Sequence, residues 1–409
     1  MTAPAGYKAT EVGVIPTDWE IKPLAEVCRQ IVDGTHFTPT YTRDGVPFYS
    51  VENVTANDFR NVKFISKKDY ELQNKRCNPE KGDILMTRIG SLGDTRLIDW
   101  DVKASIYVSL ALLKVGEDID PLFLYAYSRS QIFRQAVENR SLMSAVPKKI
   151  NMGAIGDVPV PVPPTNAEQA AIAEALSDVD EAIAAAEVVI TKKRDLKTAM
   201  MQALLSGARR LPGFSQNSKL AQRRKAEFGE IPGDWDIATV SQVAKITTGS
   251  RNTQDRQADG QFPFFVRSQT IERINSYSFD GEAVLTAGDG VGTGKVFHYI
   301  NGKFDCHQRV YIMSHFERVD GYFFFKVFSQ KFYERIMSMT AKSSVDSVRR
   351  EMIADMQIPI PPVPEQLAIA NVLSGLDIDL DEHESKLIKL RHLKTGMMQQ
   401  LFTGKIRLI

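Results

Sequence analysis

The chain contains the same two sequence signatures twice, in the same order. The first signature, EVGVIPTDW at residues 11–19, returns 216 positions later as EFGEIPGDW at residues 227–235. The second runs from EQ at residues 168–169 to LKTAMMQAL at residues 196–204, and it returns 197 positions later, from EQ at residues 365–366 to LKTGMMQQL at residues 393–401. This period is far longer than the roughly 20 to 50 residues of a solenoid repeat. The sequence therefore predicts two equivalent globular modules, each followed by its own helix, and a target that is bipartite or present in two copies.

Length and composition allow more than one hydrophobic core. The chain has 409 residues, of which 43% are hydrophobic, and this length favours two or three domains. The formal net charge of +1 gives no overall basic signal for nucleic acid. A balanced total can nevertheless hide a basic face on each module, so net charge does not decide the class of partner.

The cysteines and the first residues of the chain indicate a reducing setting. Cys28, Cys77 and Cys306 are scattered and odd in number, without the spacing of a disulfide framework or a structural zinc site. Residues 1–10 lack the apolar core of a signal peptide, and no run of about 18 apolar residues occurs. We therefore expect a cytoplasmic protein that has no membrane partner.

Short apolar runs bounded by turn residues predict two mainly-β modules. In the first module the predicted strands lie at residues 46–51, 83–87 and 106–113, and a helix is predicted over residues 121–139. In the second module the strands lie at residues 262–266, 283–286 and 308–313, and the helix runs over residues 322–337. Each module closes with a strand interrupted by prolines, at residues 158–164 and 358–364. These prolines exclude a central strand and a continuing helix.

Two long helices are predicted after the proline-rich strands. Their apolar residues recur at alternating steps of three and four, which is the heptad spacing of helices that pack side by side. The predicted helix-pairing residues are Ile172, Leu176, Val179, Ile183, Ile190, Ile369, Leu373, Leu376, Leu380, Leu387 and Leu390. Both patterns shift phase near Lys197 and Lys394 and end on Gly207 and Gly404. A helix of about 40 residues is roughly 60 Å long. Neither helix can bury its apolar seam alone, so we expect the two to pair antiparallel with a globule at each end.

The predicted fold class is therefore α+β, with two globular mainly-β domains joined by two long antiparallel helices that resemble a coiled coil. The predicted segments are a first domain at residues 1–165, a first helix at 166–208, a linker at 209–226, a second domain at 227–364 and a second helix at 365–409.

Motifs for catalysis are weak or absent in the sequence. The glycine cluster GDGVGTGK at residues 288–295 fits neither the phosphate-binding loop nor the dinucleotide fingerprint, so we interpret it as a strand turn that lets backbone approach a ligand. No two histidines have a metal-ligand spacing, and the motif of an adenine methyltransferase is not present. Asp94, Asp101 and Lys103 could form the magnesium-binding triplet of a nuclease, but this spacing arises readily by chance. We therefore predict no catalytic residue and no metal site.

Polar loops remain as candidate recognition surface. DGTHFTP at residues 33–39 combines turn residues, hydroxyls and an imidazole, and RSQT at residues 267–270 corresponds to the stretch after the strand at residues 46–51. CHQR at residues 306–309 lies at the start of a predicted strand. It could contact bases or phosphates, or it could be an ordinary polar edge of the strand. Arginine and glutamine read guanine and adenine edges with two hydrogen bonds, and basic pairs near each module's end suit phosphates. The candidate DNA-binding residues are Thr35, His36, Ser50, Asn53, Arg88, Lys148, Lys149, Arg267, Ser268, Gln269, Lys295, His307, Gln308, Arg309, Arg349 and Arg350. Equivalent positions with different side chains indicate two modules of one design that read different sequences.

With both repeats in view, the chain resembles the specificity (S) subunit of type I restriction-modification systems over nearly its full length. The motifs that carry the resemblance are IPxDW at residues 15–19 and 231–235, the Pro-Pro pairs that lead to Glu-Gln at residues 163–169 and 361–366, and the LKTxMMQ helix ends. DGTH at residues 33–36 with GVPF at residues 45–48 also resembles one variety of that family's target recognition domain.

The resemblance implies that each globule is a target recognition domain for one half of a bipartite site in double-stranded DNA, and that the helices set the spacer. The two half-sites should then lie about one helical turn, roughly 34 Å, apart. It also implies that the helices dock two methyltransferase (M) subunits, which carry S-adenosylmethionine and methylate adenine, and that restriction (R) subunits using ATP and Mg join through the complex. The chain itself would be a non-catalytic recognition subunit without a cofactor. Two other classes stay open on the residues alone: a nuclease using Asp94, Asp101 and Lys103, and a protein-binding scaffold.

Overall fold

The computed structural model describes residues 3–214, 223–227, 229–339 and 347–408. They divide into two units, one of Met1–Glu187 with Ser385–Ile409 and the other of Val188–Glu384. Each unit holds one globular domain and a part of each long helix. Residues 215–222 of the predicted linker lie outside the described residues, and the five segment boundaries stay predictions.

The first unit is built from short strands and short helices that precede a long helix. Its strands are β1 (Tyr7–Thr10), β2 (Gly13–Pro16), β3 (Glu20–Pro23), β4 (Cys28–Asp33), β5 (Tyr41–Thr42), β6 (Val46–Tyr49), β7 (Lys63–Ile65), β8 (Ile84–Thr87), β9 (Thr95–Leu97), β10 (Ser105–Ile106), β11 (Leu110–Val115) and β12 (Pro159–Val162). Its helices are α1 (Leu24–Val27), α2 (Val51–Ala56), α3 (Lys67–Asn74), α4 (Pro121–Ser128), α5 (Gln131–Asn139), α6 (Met152–Gly156) and the first part of α7 (Asn166–Leu205).

Two four-stranded sheets form the body of the first domain, in the orders β10-β6-β7-β5 and β4-β11-β8-β9. In the second sheet, β11 pairs antiparallel with both β4 and β8, and Leu110, Leu112 and Leu113 on it are fully buried. The proline-rich strand β12 pairs with β3 in a separate two-stranded sheet. This placement follows from its prolines, which have no N–H to donate to a second neighbouring strand.

The second unit repeats this plan with longer strands. Its strands are β13 (Arg223–Ala226), β14 (Gly229–Pro232), β15 (Asp236–Thr239), β16 (Lys245–Thr248), β17 (Phe262–Phe265), β18 (Ile271–Ile274), β19 (Phe279–Ala287), β20 (Phe297–Cys306), β21 (Val310–Ser314) and β22 (Gln357–Ile360). Its helices are α8 (Val240–Val243), α9 (Gly321–Ser338), α10 (Arg350–Ala354) and the first part of α11 (Val363–Leu401), with a short 3₁₀ helix at Thr253–Asp255.

A single six-stranded sheet, β16-β21-β19-β20-β17-β18, forms the body of the second domain. Helix α9 packs on it through aromatic side chains spaced four residues apart, which lie on one helix face. The rings of Phe328 and Phe332 stack at 4.5 Å, and those of Phe324 and Phe328 stack at 5.7 Å. All three are fully buried, so this face of α9 fills the core of the domain.

Two of the predicted elements were wrong. The helix predicted over residues 121–139 is divided into α4 and α5, because Ser130 caps a new helix with its hydroxyl, which accepts a hydrogen bond from the N–H of Phe133 at 3.1 Å. The strand predicted over residues 106–113 is broken by a turn in which Leu110 N–H donates to the carbonyl of Tyr107 at 2.9 Å. The helix predicted over residues 322–337 is confirmed as α9.

The long helices α7 and α11 run antiparallel, as predicted. In the first unit, Lys394 Nζ lies 2.5 Å from Asp180 Oδ1, and Arg391 Nη2 lies 2.7 Å from Glu187 Oε1. Later residues of α7 therefore meet earlier residues of α11. In the second unit, Lys197 Nζ lies 2.6 Å from an oxygen of the α11 residue Asp377. Lys394 and Lys197 are the positions where the apolar seam shifts phase, so a cross-helix ion pair replaces the apolar contact there.

The predicted helix-pairing residues divide into two groups by burial. The residues near the domains, Ile172, Leu176, Ile369 and Leu373, belong to the two domain cores, where they pack with residues from the other helix such as Leu401 and Leu204. Further along the helices, Ile190 and Leu380 are buried, whereas the half-buried residues are Val179, Ile183, Leu376, Leu387 and Leu390. No helix within the described residues is long and apolar enough to span a membrane.

The repeated sequence signatures meet at a junction in the first unit. Arg407, beyond the end of α11, donates from Nη2 to Asp18 Oδ2 at 3.1 Å and to Glu168 Oε2 at 2.8 Å. Its guanidinium carbon lies 5.8 Å from the ring centroid of Trp19. Asp18 and Trp19 come from the first signature and Glu168 from the second, so the signatures are joined to each other through an arginine of the opposite helix.

The same junction recurs in the second unit. Arg210, beyond the end of α7, donates from Nη2 to Asp234 Oδ2 at 3.1 Å and to Glu365 Oε2 at 2.6 Å. Trp235 Nε1 also donates to Glu365 Oε2, at 3.1 Å. The repeated motifs are therefore structural, because in each unit they fix the start of one long helix and the end of the other on the same domain.

Candidate nucleic-acid interface

In the first domain, loops from several strands meet at one end of the sheets. Thr35 N–H donates to the carbonyl of Ile106 at 3.0 Å, and Val108 N–H donates back to the carbonyl of Thr35 at 3.0 Å. Arg88 N–H donates to the carbonyl of Ser109 at 2.9 Å. These backbone bonds join the loop after β4, the turn between β10 and β11 and the loop after β8. Residues 33–40, 50–53, 88–93, 107–109 and 142–149 make up what we call the loop edge of this domain.

The second domain has a matching loop edge. Gln308 N–H donates to the carbonyl of Arg251 at 2.9 Å, and Gly288 N–H donates to the carbonyl of Arg309 at 2.7 Å. Arg251 makes the same backbone hydrogen bonds in the second domain as Thr35 makes in the first, so the two residues occupy equivalent positions. This loop edge comprises residues 249–255, 266–270, 288–294, 307–309 and 347–350. The sequence-predicted DNA contacts fall on the two loop edges, with Lys295 one residue beyond.

A buried carboxylate organises the first loop edge. The side chain of Asp33 is 5% exposed, and its Oδ2 lies 2.8 Å from His36 Nε2 and 3.4 Å from Arg88 Nη1. Its Oδ1 accepts from Arg76 Nη2. The side chains of His36 and Arg76 are 58% and 59% exposed. Asp33 therefore holds two exposed hydrogen-bonding side chains in fixed places at the surface, and Arg76 is a candidate that the sequence did not reveal.

Two predicted contacts of the first domain have internal roles instead. Arg88 is 8% exposed and donates from Nη1 to the carbonyl of Val108 at 2.8 Å, and burial lowers the pKa of its guanidinium. Asn53 is also 8% exposed; its Oδ1 accepts from Ser50 N–H at 2.9 Å, and its Nδ2 donates to the carbonyl of Asp58 at 3.0 Å. Their hydrogen-bonding atoms face the protein, which corrects their assignment as surface contacts.

The second loop edge carries a carboxylate between two arginines. Arg267 Nη1 lies 2.9 Å from Asp289 Oδ1, and Arg309 Nε lies 3.7 Å from Asp289 Oδ2. The side chains of Arg267 and Arg309 are 45% and 66% exposed, whereas that of Asp289 is 25% exposed. The two guanidinium groups thus present N–H donors to solvent while both pair with one carboxylate, Arg267 through a hydrogen bond and Arg309 through its charge.

The glycines on either side of Asp289 allow the loop to place its carboxylate between the two arginines. A Cβ atom at Gly288 would lie 2.9 Å from the carbonyl oxygen of Arg309, and one at Gly292 would lie 2.5 Å from the carbonyl oxygen of Arg267. The loop therefore needs glycine where it crosses the backbone of each arginine. The predicted close approach of backbone is present, but it is made to the chain's own arginines.

A second buried carboxylate anchors the neighbouring loop of this domain. Asp305 is fully buried and accepts from Arg251 Nε at 3.0 Å, from Ser276 Oγ at 2.8 Å and from Ser278 Oγ at 2.7 Å. Asp305 holds Arg251 much as Asp33 holds Arg76 in the first domain. Sequence patterns do not reveal these two arginine contacts, because Arg76 and Arg251 lie 43 and 54 positions from their aspartates.

The turn at residues 307–309 contributes exposed and buried groups. His307 is 6% exposed, and its Nδ1 accepts from Arg309 N–H at 3.0 Å. Burial, and then the nearby charge of Arg267, lowers the pKa of His307, and its Nδ1 is occupied by the hydrogen bond within the turn. This corrects its assignment as a surface contact. Gln308 is exposed, and its Nε2 donates to Asn252 Oδ1 at 2.8 Å.

The basic pairs near the ends of the two domains are not structurally equivalent. Lys149 forms a β-bridge with Ile89, whereas Ser347 forms the matching bridge with Asp289. Arg349 lies two positions after Ser347, as the N-cap of α10. The remaining predicted contacts have exposed or half-exposed side chains: Thr35, Ser50, Lys148, Lys149, Ser268, Gln269, Lys295, Arg349 and Arg350.

The nuclease alternative finds no support in the described residues. Asp94 accepts from Arg134 Nη2 at 3.0 Å, and Lys103 Nζ lies 5.6 Å from the ring centroid of Tyr70. Asp94 precedes β9, whereas Asp101 and Lys103 follow it. In the described part of the chain, no group of three or more His, Cys, Asp or Glu side chains is placed to hold a metal ion.

Comparison with known structures identifies the fold. The chain is similar to the crystal structure of the type I restriction-modification system S subunit from M. genitalium, with a TM-score of 0.65, 16% identity and coverage of 98% of both chains. It is also similar to a chain from a structural study of complex assembly and conformational transition of the type I R-M system, with a TM-score of 0.55, 15% identity and coverage of 96% and 99%. At this identity the two likenesses establish the fold alone.

Sequence comparison identifies the family. The chain is 24% identical over 433 residues to the putative type I restriction enzyme MjaX specificity subunit of Methanocaldococcus jannaschii, covering 98% of this chain and 96% of that protein. It is 26% identical over 175 residues to the type I restriction enzyme EcoDI specificity subunit of Escherichia coli, covering 43% and 38%. The sequence model of the type I restriction modification DNA specificity domain matches twice, at residues 16–191 and 232–390. The chain therefore belongs to the type I restriction-modification DNA specificity family.

Proposed function

We propose that this chain selects the DNA target of a type I restriction-modification complex. Each domain recognises one half of a bipartite site in double-stranded DNA through its loop edge, and α7 with α11 sets the length of the unspecified spacer. The observation that carries the proposal is that two loop edges of one backbone design present different side chains. At the matched position the first domain has Thr35 and the second has Arg251, so the two domains suit different base sequences.

The proposed DNA contacts are exposed or half-exposed hydrogen-bonding side chains that lie on the two loop edges or beside them. In the first domain they are Thr35, His36, Ser50, Arg76, Lys148 and Lys149. In the second domain they are Arg251, Arg267, Ser268, Gln269, Lys295, Gln308, Arg309, Arg349 and Arg350. Loops are suited to this task because they lie on the surface while the sheets behind them stay rigid. Several basic side chains on each edge also supply the phosphate attraction on which DNA affinity depends.

The long helices are the proposed docking site for two methyltransferase subunits. Both helices expose large apolar side chains on their outward faces, namely Val188, Leu196, Ile378, Ile388 and Leu393, each at least 51% exposed. Exposed apolar residues on an otherwise polar helix favour a protein partner. Leu196 and Leu393 occupy the same place in the two repeats, which suits two copies of one subunit.

The chemistry of the proposed complex lies in the partner subunits. The methyltransferase subunits would bind S-adenosylmethionine and methylate adenine N6, and restriction subunits would use ATP and Mg to cleave unmodified DNA. The chain described here contributes recognition and assembly in the cytoplasm, without a cofactor of its own.

Methylation mapping tests the proposal. The chain is co-expressed with the methyltransferase subunit encoded beside it, and N6-methyladenine is mapped across the host DNA. We expect one bipartite motif with a fixed unspecified gap, absent when this chain is omitted. A stable complex without methylation would contradict the specificity role, and failure to form any complex would contradict the docking role of the helices.

A further inference from the structure

The Gly288–Gly294 loop of the second domain places a carboxylate among the exposed cations of a surface that is proposed to bind a polyanion. A carboxylate there opposes DNA binding in general, because it repels phosphate and neutralises part of the arginine charge. Its presence at this place therefore needs another explanation. The geometry of Asp289 supplies one.

Asp289 is held where it contacts both arginines at once. It lies 2.9 Å from Arg267 and 3.7 Å from Arg309, and the loop on either side of it crosses the backbone carbonyls of these same residues at Gly292 and Gly288. Because Gly288 N–H donates to the carbonyl of Arg309 at 2.7 Å and Gly292 lies close against the carbonyl of Arg267, the carboxylate is placed between the two arginine side chains.

This arrangement orients the guanidinium groups while leaving most of their donors free. Asp289 accepts a hydrogen bond from one terminal nitrogen of Arg267 and forms an ion pair at 3.7 Å with the Nε of Arg309. Both terminal nitrogens of Arg309 remain available, and its side chain is 66% exposed. A guanidinium whose plane is fixed can form two parallel hydrogen bonds to the O6 and N7 atoms of guanine, which is the commonest specific arginine contact with DNA. A flexible arginine would reach phosphates equally well.

We propose that Asp289 is a specificity-determining positioning residue, which directs Arg267 and Arg309 toward guanine edges in the second half-site and weakens their attraction for phosphates. This inference rests on the proposed function. Specificity is a difference between two affinities, and Asp289 increases that difference by lowering the affinity for non-cognate DNA.

The test uses the assembled complex of this chain with its methyltransferase subunits. Affinity is measured against the mapped cognate duplex and against a duplex whose second half-site is scrambled, at several salt concentrations. The variant Asp289→Asn keeps the shape of the side chain and removes its charge. We expect it to bind the scrambled duplex about three- to tenfold more tightly, with a salt dependence steeper by about one unit because one more phosphate is neutralised. Asp289→Glu should restore part of the discrimination.

The matched control is Asp280→Asn, an exposed aspartate at the opposite end of β19, the same strand that leads to Asp289. If Asp289→Asn and Asp280→Asn bind the scrambled duplex equally, the role of Asp289 is wrong. A wild-type complex that fails to distinguish the two duplexes would instead contradict the proposed function itself.

Arginine variants decide whether the bases or the phosphates are contacted. If Arg309 contacts guanine, Arg309→Gln should reduce the preference for guanine at one position of the second half-site of the methylated motif. The first half-site should stay unchanged. If Arg309→Gln weakens binding to every duplex equally and lowers the salt dependence by about one unit, Arg309 contacts phosphate and the inference fails.

Discussion

Asp33 shows how a single buried side chain can organise a recognition surface. It is 5% exposed, yet it contacts His36, Arg76 and Arg88, which come from three different parts of the first domain. Arg88 is itself buried, so its charge depends on this carboxylate. Asp33 therefore couples the stability of the domain to the placement of two exposed side chains, His36 and Arg76.

We expect Asp33→Asn to destabilise the first domain by about 3 kcal/mol, because it leaves the charge of Arg88 buried without its partner. The same variant should weaken recognition of the first half-site. Thermal unfolding and methylation mapping measure the two effects. Asp44→Asn, at an exposed position of the same domain, is the control. Equal unfolding temperatures for the two variants would show that Asp33 does not have this structural role.

Buried histidines make the stability of the second domain sensitive to pH. His298 is 7% exposed, its Nε2 lies 3.1 Å from the carbonyl oxygen of Ser268, and burial lowers its pKa below the ordinary value of 6.5. The folded state thus binds fewer protons than the unfolded state just below pH 6.5. The contribution of His298 is fully present above that pH and is lost as the pH falls toward its folded pKa.

We therefore expect the free energy of unfolding to decrease as the pH is lowered from about 7 to about 5.5, and His298→Gln to reduce this slope. Urea unfolding at a series of pH values measures it. Identical slopes for wild type and variant would assign the pH dependence to other groups.

At the ends of the long helices, two sequence features that are far apart along the chain lie in contact: the glycine that ends each helix and the proline of the IPxDW motif. Gly404, after α11, has a φ of +61°, and a Cβ there would lie 2.4 Å from the side chain of Pro16. Gly207, after α7, has a φ of +62° and the same relation to Pro232. The glycine that ends each helix and the proline of the repeated IPxDW motif are therefore parts of one contact.

Alanine substitutions at two glycines distinguish the effect of this contact on stability from the effect of helix propensity on stability. Gly404→Ala should destabilise the first unit by about 1–2 kcal/mol, because the left-handed conformation disfavours a Cβ atom and the proline must move. Gly396→Ala, inside the same helix and with nothing within 4 Å of the added carbon, should stabilise the protein by about 0.5–1 kcal/mol. The first repeat already has alanine at this place, as Ala199. Urea unfolding measures the free energy of unfolding of both variants. A change of the same sign in the two variants would show that the contact between the helix-ending glycine and the proline does not determine stability.

The elements that could be predicted from the sequence are those with a strong local signal. Heptad spacing predicted the long helices, and the prolines of β12 and β22 predicted strands outside the main sheets. The division between α4 and α5 could not be predicted, since apolar spacing continues across Ser130 and the cap depends on one hydroxyl. The cluster around Asp33 could not be predicted either, because Arg76 lies 43 positions away and only the tertiary fold brings it near.

At the scale of the whole molecule, the helices should set the spacer independently of the bases recognised. One heptad inserted after Glu187 and another after Glu384 would preserve the apolar seam and the antiparallel pairing. Seven residues add about 10 Å to a helix, which corresponds to about three base pairs of DNA. We expect methylation mapping to show a changed spacer and unchanged half-sites. Four-residue insertions, which break the heptad pattern, are the control and should lower the unfolding temperature.

If each domain recognises its own half of the target, exchange of one domain should change that half alone. Residues 24–158 are replaced by the corresponding segment of another specificity subunit, which keeps Pro16, Asp18, Trp19 and the contacts of Arg407 in place. N6-methyladenine is then mapped for the wild-type and exchanged chains, each with the same methyltransferase subunit. We expect one half of the methylated motif to change while the other half and the spacer stay the same. A motif that changes in both halves would contradict this expectation.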